Sequence, residues 1–338
     1  MSRCKLEEFI SYEQPSKYIV DSDQYDDSFE IPVLTAGKSF ILGYTDETNN
    51  IFDNLPVIIF DDFTTSVQFV DFPFKVKSSA MKLLKNTEQA DIKYCYYLLK
   101  FLQHTPENHK RQWLSATSQN IVELPTIEKQ KNIVRKLDKI LEVIDNQNKQ
   151  LELLDESIKA RFVEMFGEIE DRDRWKSKIW NEVVTIKNGR DYKKVLVNDG
   201  GYPVVGTGGE IARASEYLCP ENTIVVGRKG SINNPMLMKE KFWNVDTAFG
   251  VIPNSDYLHY QYFYYFCKFY NFMKLNKATT LPSTTKADLL KIKINIPPLE
   301  LQNQFASFVQ EIDKSRLREL LAIKHIKLLL NDSWLLFY

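Results

Sequence analysis

The chain has 338 residues, of which 43% are apolar, and its formal net charge is −1. This length is sufficient for two domains with substantial cores. The sequence contains no apolar run of about 18 residues, which argues against a membrane-spanning helix. Its first residues also lack the apolar core of a signal peptide, so we expect a cytoplasmic protein with no membrane partner.

The residues that commonly bind metals or form disulfides show no useful spacing. The four cysteines include no CxxC pair, and the four histidines show neither HxxxH nor HxH spacing. This pattern favours reduced thiols in a core and predicts no metal site in this chain.

Charge is unevenly distributed along the chain. A near-neutral balance is unlike that of most DNA-binding domains, which are basic. The average hides segregation, however, because acidic residues concentrate at 21–30 whereas basic residues cluster at 109–111, 228–229 and 274–286. The overall charge therefore does not decide whether the chain binds nucleic acid.

The first half of the chain is predicted to be a strand-rich α+β domain. Its patterns indicate a short helix at 5–10, strands at 31–37, 40–44 and 57–60, and a strand pair or bent strand at 66–78. Asp91 is placed to cap an aromatic helix. The segment VELPTIEKQ then predicts a short strand and a Pro turn before a long helix.

The long helix is predicted from Ile127 to Phe166, since no Pro or Gly interrupts the chain before Gly167. At 1.5 Å per residue it would span roughly 60 Å. Alternating steps of three and four residues place apolar side chains along a narrow seam, which is typical of a coiled coil. The seam comprises Val134, Leu137, Leu141, Ile144, Asn148, Leu151 and Ile158, with Asn148 expected to set the register.

The second half follows the same order. We predict a short helix at 179–183, a strand and glycine turn at 202–210, a strand at 223–227, a bent strand at 242–254 and an aromatic helix at 257–270. The segment INIPPLELQ leads into a second long helix at 299–330. Its expected seam residues are Phe305, Val309, Ile312, Leu320 and Ile323.

These landmarks indicate that the chain contains two copies of one unit. The matches are Pro32 with Pro203, Val70-Asp71 with Val245-Asp246, Tyr94 with Tyr260, and LPTIEKQ with IPPLELQ. All of them recur at shifts between 166 and 175 residues. Two long helices with narrow seams, related by such a duplication, are expected to pack antiparallel. The predicted divisions are domains at 1–124 and 169–296, a first helix at 125–168, and a second helix with a terminal cap at 297–338.

The sequence contains no convincing catalytic constellation. The segment GTGGE at 206–210 lacks the Lys-Ser/Thr of a phosphate-binding loop. Ser283 and Lys286 fit a Ser-x-x-Lys motif, but its companion motifs are missing, and capping of the next helix by Ser283 or Thr284 is the plainer interpretation. We therefore expect no catalytic residues and no enzymatic activity.

A binding surface is the remaining possibility, because loops after the predicted strands combine cations, hydroxyls and glycine. In the second half the candidates are Arg190, Lys193, Thr207, Gly208, Arg228, Lys229, Ser231, Thr280, Ser283, Thr284 and Lys286. In the first half they are Thr35, Lys38, Asp61, Asp62, Thr64, Thr65, Lys110 and Arg111.

At this level the chain resembles the specificity subunits of type I restriction–modification systems. The resemblance rests on two variable units, each closed by a P-x-φ-E-x-Q box and a long helix, and it covers nearly the whole chain. Its most specific segments are LPTIEKQKNIVRKLDKI, IPPLELQNQFASFV, IPVLTAG and YPVVGTGG. It implies two target-recognition domains that each read one half of a bipartite DNA target, spaced by an antiparallel helix pair.

The resemblance also implies partners. Two methyltransferase subunits would dock on the helices and domains, and motor-nuclease subunits can join them. S-adenosylmethionine, ATP and magnesium would belong to those subunits, with no cofactor in this chain. Arg228 or Lys229 is expected opposite guanine and Asp61 or Asp62 opposite cytosine N4, which predicts a non-palindromic target. The alternatives are a methylation-only system and an interaction scaffold that has lost DNA binding.

Overall fold

Two compact units make up the chain. The computed structural model describes residues 2–36, 39–106, 110–171, 174–276 and 282–332. One unit contains the residues up to Gln147 and those from Ala322 onward, and the other spans Asn148–Leu321. The boundary falls within both long helices, so each helix contributes a segment to each unit. Within the described ranges, no helix has the length and apolarity needed to cross a membrane.

The first unit is built from three small sheets, an aromatic helix and one segment from each of the two long helices. Its elements are β1 (Ser2–Lys5), β2 (Ile10–Glu13), β3 (Ile31–Leu34), β4 (Ile41–Thr45), β5 (Val57–Asp61), β6 (Val67–Val70), β7 (Lys75–Val76), β8 (Met81–Asn86), α1 (Ile92–Phe101), β9 (Ile121–Leu124) and the start of α2 (Ile127–Phe166). The strand orders are β2-β8-β5-β6, β4-β3-β7 and β1-β9. All pairs are antiparallel except β3 with β7.

The core of the first unit forms around β5. Its five residues, VIIFD, are all buried, as expected for an apolar run in a central strand. Ile58 and Phe60 face a cluster that includes α1, whereas Val57 and Ile59 face a second cluster with β3 and β7. The predicted cap of α1 is confirmed, because the Asp91 carboxylate accepts the backbone N–H groups of Lys93 and Tyr94, both at 2.9 Å.

The second unit has the same architecture. Its elements are the end of α2, β10 (Ser177–Ile179), α3 (Trp180–Val183), β11 (Val184–Asn188), β12 (Leu196–Val197), β13 (Tyr202–Gly206), β14 (Gly209–Ala214), β15 (Thr223–Gly227), β16 (Met236–Met238), β17 (Trp243–Asn244), β18 (Ala248–Pro253), α4 (Tyr260–Phe269), α5 (Lys286–Leu289), β19 (Lys293–Asn295) and most of α6 (Leu299–Asp332). The strand orders are β11-β18-β15-β16, β12-β14-β13-β17 and β10-β19.

The predicted duplication is confirmed at the level of topology. Each sheet of the first unit has a counterpart with the same strand order, and β12 is added at one edge in the second unit. The parallel pair recurs as well, as β13 with β17. Two of the sequence matches were placed wrongly. Tyr94 corresponds to Tyr262, since each lies three residues after the cap of its helix, and Val70 ends β6 whereas Val245 follows β17.

Several element predictions also need correction. The helix expected at 5–10 is one 3₁₀ turn, Leu6–Glu8, between β1 and β2. The segment 66–78 divides into β6 and β7, which belong to different sheets. The segment 242–254 likewise divides into β17 and β18. The aromatic helix starts at Tyr260 rather than at 257. Alternating patterns do not distinguish one bent strand from two short strands, because both alternate with period two.

The two long helices are confirmed, and they run antiparallel where they meet. In the second unit, Asp155 of α2 contacts Arg316 of α6 at 2.6 Å, and further along α2 the Phe166 ring lies 5.4 Å from Phe305. Residue numbers therefore rise along α2 while they fall along α6. The C-terminal cap predicted at 333–338 lies outside the described residues.

The predicted seam is buried where the helices pack on the domains and is only partly buried elsewhere. Val134, Leu137, Ile158, Phe305, Val309 and Ile323 are buried, and Ile144, Leu151 and Ile312 are half-buried. Leu141 and Leu320 are instead 43% and 48% exposed, and Asn148 is exposed too. Asn148 therefore does not act as a buried register device. Val134, Leu137, Ile158, Phe305 and Val309 are buried because they pack in the cores of the strand-rich domains.

A buried glutamine joins each domain to its long helix. Gln130 accepts the backbone N–H of Asp91 at 2.8 Å and donates to the carbonyls of Pro125 and Gln89 at 2.8 and 3.1 Å. Gln302 accepts the backbone N–H of His259 at 2.7 Å. It donates to Pro297 and Tyr257 at 2.8 and 2.9 Å. The glutamine of the P-x-φ-E-x-Q box thus makes the same three contacts in both units.

Candidate nucleic-acid interface

In the second unit, the end of β11, the loop after β15, the start of β18 and the segment that leads into α5 converge. They enclose a cleft of about 330 Å³. Its lining combines cations, hydroxyls, an amide and one aromatic ring, contributed by Asn188, Arg228, Lys229, Phe249, Ser283, Thr284, Thr285 and Lys286. Arg228, Lys229, Ser283, Thr284 and Lys286 were predicted from the sequence, and the structure brings them together.

Backbone hydrogen bonds hold this cleft in shape. The Arg228 N–H donates to the Thr247 carbonyl at 2.8 Å, and the Thr284 N–H donates to the Arg228 carbonyl at 3.0 Å. The Gly230 N–H donates to the Pro282 carbonyl at 3.0 Å. The strand end and the incoming loop therefore form a short bridge, with the cationic side chains on its exposed side.

The three cations of the cleft are exposed, and contacts hold two of them, Arg228 and Lys286, in defined positions. The Arg228 guanidinium lies 6.0 Å from the centroid of the Phe249 ring and donates to the Asp246 carbonyl at 3.3 Å. Lys286 Nζ donates to the Ile186 carbonyl at 2.8 Å. Both side chains donate to neutral backbone carbonyls, which do not neutralise their positive charge. They therefore suit contacts with phosphate groups or with acceptor atoms on the edges of DNA bases.

Arg190 lies on a loop that requires glycine before it. A Cβ on Gly189 would lie 1.8 Å from the Val245 carbonyl oxygen, so no larger residue fits there. The Arg190 N–H donates to the Asn244 carbonyl at 3.0 Å, and its carbonyl accepts from Trp243 Nε1 at 3.0 Å. The backbone of Arg190 is thus held in place, and its side chain is exposed.

The remaining predicted residues of the second unit lie at separate places. Lys193 and Ser231 are exposed, and Thr207 and Gly208 form the tip between β13 and β14. Thr284 is buried and donates to the Gly227 carbonyl at 2.9 Å, so it supports the cleft from inside and is not an exposed DNA ligand. The cap of α5 is Thr285, not Ser283 or Thr284. Thr280 lies outside the described residues.

In the first unit, the expectation that Asp61 and Asp62 accept from a base is corrected, because both carboxylates are buried and used internally. Asp61 accepts the Phe63 N–H at 2.9 Å and the Thr64 hydroxyl at 2.6 Å. Asp62 Oδ1 accepts the N–H groups of Gln112 and Trp113 at 3.0 and 2.8 Å.

Asp62 also forms a buried ion pair that sequence reasoning did not find. Its Oδ2 lies 3.2 Å from Lys82 Nζ, and both side chains are 1% exposed. Lys82 lies among the apolar residues of β8, but the same strand also carries Lys85, so the residue types alone do not identify the buried lysine. A buried pair of this kind is strongly coupled, since loss of either partner leaves an uncompensated charge.

The other predicted residues of the first unit divide between interior and surface. Thr65 is buried and donates to the His104 carbonyl at 2.6 Å, so it is not available for DNA contacts. Thr35 is half-buried in the loop between β3 and β4. Thr64, Lys110 and Arg111 are exposed, and Lys38 lies outside the described residues.

Groups suited to catalysis do not converge in the described parts of the chain. No cluster of three or more His, Cys, Asp or Glu side chains suitable for a metal occurs among those residues. Burial raises the pKa of Cys95 to about 12 and that of Cys219 to about 11, so both thiols remain protonated near neutral pH.

Comparison with known proteins relates most of the chain to one family. The sequence model of the protein family described as the type I restriction modification DNA specificity domain matches residues 172–325. The specificity subunit of the EcoR124I/EcoR124II type I restriction enzyme of Escherichia coli is 31% identical over 348 residues, covering 91% of this chain and 85% of that protein.

Solved structures agree on the fold. The S subunit of a type I restriction–modification system from M. genitalium superposes with a TM-score of 0.64 at 15% identity, covering 100% of this chain and 96% of that one. A chain from a structural study of type I complex assembly and conformational transition gives a TM-score of 0.52 at 15% identity, covering 97% and 95%. The chain belongs to the specificity subunits of type I restriction–modification systems, the non-catalytic DNA-recognition components of these multi-subunit enzymes.

Proposed function

We propose that each of the two repeated domains reads one half of a bipartite, non-palindromic DNA sequence, and that the helix pair sets the gap between the halves. The observation that carries this proposal is the cationic cleft of the second domain. Arg228, Lys229 and Lys286 converge there on a rigid backbone bridge. An exposed arginine supported in this way suits bidentate contact with guanine O6 and N7 in the major groove.

The differences between the two domains support a non-palindromic target. Their topologies match, yet the position after the central strand carries Arg228 in one domain and Asp62 in the other. Arg228 is exposed whereas Asp62 at the equivalent position is buried, so the two loops present different donors and the two half-sites should differ in sequence.

The helices also offer surfaces for the partner subunits. Two methyltransferase subunits would dock there, and motor-nuclease subunits would join a cytoplasmic complex. In support, large apolar side chains are exposed at Leu141, Val143, Leu153, Leu317 and Leu321. Such side chains on a protein surface commonly mark contacts with other proteins. The methyltransferase would bring S-adenosylmethionine, and the motor-nuclease ATP and magnesium.

Binding to DNA can be tested with the chain reconstituted with its methyltransferase. In a mobility-shift titration, the complex should prefer one bipartite sequence, and its affinity should fall steeply as salt rises. Binding that ignores sequence and salt would favour the alternative of a scaffold that has lost DNA recognition.

Methylation mapping by long-read sequencing tests the bipartite arrangement. Wild-type complex should modify one motif made of two unlike halves. Arg228→Ala should relax one base of one half and leave the other half intact, and an unchanged motif would remove Arg228 from the interface. Adding the motor-nuclease subunit, where one exists, distinguishes a complete restriction system from a methylation-only one.

A further inference from the structure

Each recognition domain contains the same kind of backbone bridge between a strand end and an incoming loop. The two domains carry an arginine on different sides of that bridge. In the first domain the Asp62 N–H donates to the Ala80 carbonyl at 3.1 Å, and the Gln112 N–H donates to the Asp62 carbonyl at 2.8 Å. The same two bonds in the second domain use the N–H and carbonyl of Arg228. Asp62 is therefore the counterpart of Arg228, and Arg111, which precedes Gln112, is the counterpart of Ser283.

The strand beneath the bridge differs in a matching way. Lys82 opposes Phe60 in the pairing of β5 with β8, and Phe249 opposes Val226 in the pairing of β15 with β18. The first domain thus has a buried lysine where the second has the aromatic ring beneath its arginine. The first domain therefore lacks both the arginine at the strand end and the aromatic ring beneath it. A cation that reads DNA in the first domain comes from another position.

Arg111 provides a cation at that edge. Its side chain is 55% exposed, and its Nε lies 4.0 Å from Asp62 Oδ2. Because the approach is through Nε, it does not use the four N–H donors of the two Nη nitrogens. Asp62 Oδ2 also faces Lys82 Nζ at 3.2 Å, but it has no aligned hydrogen-bond partner among the described residues, so it can accept from Arg111 as well.

The backbone that carries Arg111 is firmly held. The next two residues, Gln112 and Trp113, both donate their N–H groups to Asp62 Oδ1. The Trp113 ring is buried against Phe60, with ring centroids 5.2 Å apart. One carboxylate therefore anchors the backbone through one oxygen and faces the guanidinium with the other.

We infer that Arg111 is the guanine-reading residue of the first recognition domain and that Asp62 is the residue that positions it. The inference rests on the proposed function and replaces the idea that Asp62 itself contacts a base. Lys82 completes the arrangement, since it balances a carboxylate that would otherwise repel DNA phosphates. Each domain then presents an arginine to the major groove, from the strand end in one and from the incoming loop in the other.

The role of Arg111 is tested in the complete complex of the chain with its methyltransferase. Methylation of a randomised DNA pool gives the discrimination at every base. Arg111→Ala should lower discrimination at one base of one half-site by roughly 10- to 100-fold, as expected for loss of a bidentate contact. Arg228→Ala should act on the other half-site. Arg3→Ala, which removes an exposed arginine from β1 of the same domain, is the matched control and should leave the motif unchanged.

The positioning role of Asp62 needs a variant that folds. Asp62→Asn alone leaves Lys82 buried and unpaired, so the informative variant is Asp62→Asn/Lys82→Met. The asparagine oxygen can still accept from Gln112 and Trp113, and the methionine fills the lysine site. If Asp62 positions Arg111 through its charge, the folded double variant should lose discrimination at the same base as Arg111→Ala.

The outcomes are separable. Full discrimination in Arg111→Ala would overturn the assignment of the reading residue. Full discrimination in the folded double variant would make Asp62 a purely structural residue and overturn its positioning role. If the wild-type complex itself shows no sequence preference, the proposed function fails rather than this inference.

Discussion

Single side chains with fixed partners determine how each domain joins its helix. Gln130 and Gln302 are fully buried, and each satisfies two carbonyls and one N–H. The sequence shows the glutamine only as part of a recurring box. Its role emerges from tertiary contacts, because Gln302 reaches a residue 43 positions earlier in the chain. The box therefore recurs for a physical reason, namely the satisfaction of buried backbone groups at a helix start.

Replacing Gln302 tests this explanation. Gln302→Leu keeps the approximate size but leaves the His259 N–H and two carbonyls unpaired in the interior. We expect a loss of roughly 2–5 kcal/mol in the free energy of unfolding, measured by urea denaturation. Gln304→Leu, at an exposed position of the same helix, should change it by less than about 0.5 kcal/mol. Equal effects of the two substitutions would contradict the proposed role of the buried amide.

At the scale of elements, the two aromatic helices begin with different caps. Asp91 caps α1, whereas the neutral Nδ1 of His259 accepts the Gln261 N–H at 3.2 Å at the start of α4. Burial lowers the pKa of His259 below its usual value of 6.5. Protonation removes the lone pair that accepts this bond, so the hydrogen bond at the start of α4 depends on pH.

The direction of the pH effect follows from the lowered pKa. The unfolded chain takes up a proton at His259 near pH 6.5, and the folded chain does so only at lower pH. The stabilisation is therefore present above pH 6.5 and is lost as the pH falls towards the lowered value. His259→Asn keeps a capping oxygen without titration, so its free energy of unfolding should fall less between pH 7.5 and pH 5.5 than that of the wild type. Identical pH profiles from chemical denaturation would exclude this role.

The long helices illustrate what periodicity captures and what it leaves out. The spacing of apolar residues in the sequence predicts Ile158 and Phe305 in the interior, and both are fully buried. The same spacing includes Leu141 and Leu320, which are exposed. Periodicity identifies one face of a helix, but burial along that face depends on which turns have a neighbour to pack against.

At the scale of the whole molecule, each long helix is shared by the two units. The boundary lies after Gln147 in α2 and after Leu321 in α6. A helix has a fixed rise per residue, so inserting residues there changes length without altering either domain. Under the proposed function, helix length is therefore the variable that sets the distance between half-sites.

An insertion of one heptad into both helices at this boundary tests the spacing. Seven residues add about 10 Å, which corresponds to about three base pairs of DNA. The methylated motif should keep both half-sequences, with the gap widened by about that number. An unchanged gap in a folded, active complex would show that helix length does not set the target spacing.

The candidate interface was only partly predictable. Arg228 and Lys286 were identified because cations follow a buried strand and a hydroxyl-rich loop. Asp61 and Asp62 were misassigned because the same reasoning treats every polar residue after a strand as exposed. The partner of Asp62, Lys82, is on a different strand, and the pairing of β5 with β8 cannot be derived from residue types alone.

The sequence by itself determined the duplication, the two long helices, the α+β class and the resemblance to specificity subunits. These rest on local patterns, which chain order and side-chain period encode directly. Only the tertiary structure decided which loops meet, which parts of the seam are buried, and on which side of the bridge each domain carries its arginine. Those outcomes depend on contacts between residues far apart in sequence, and the free energy of such contacts is settled by packing and burial after the elements assemble.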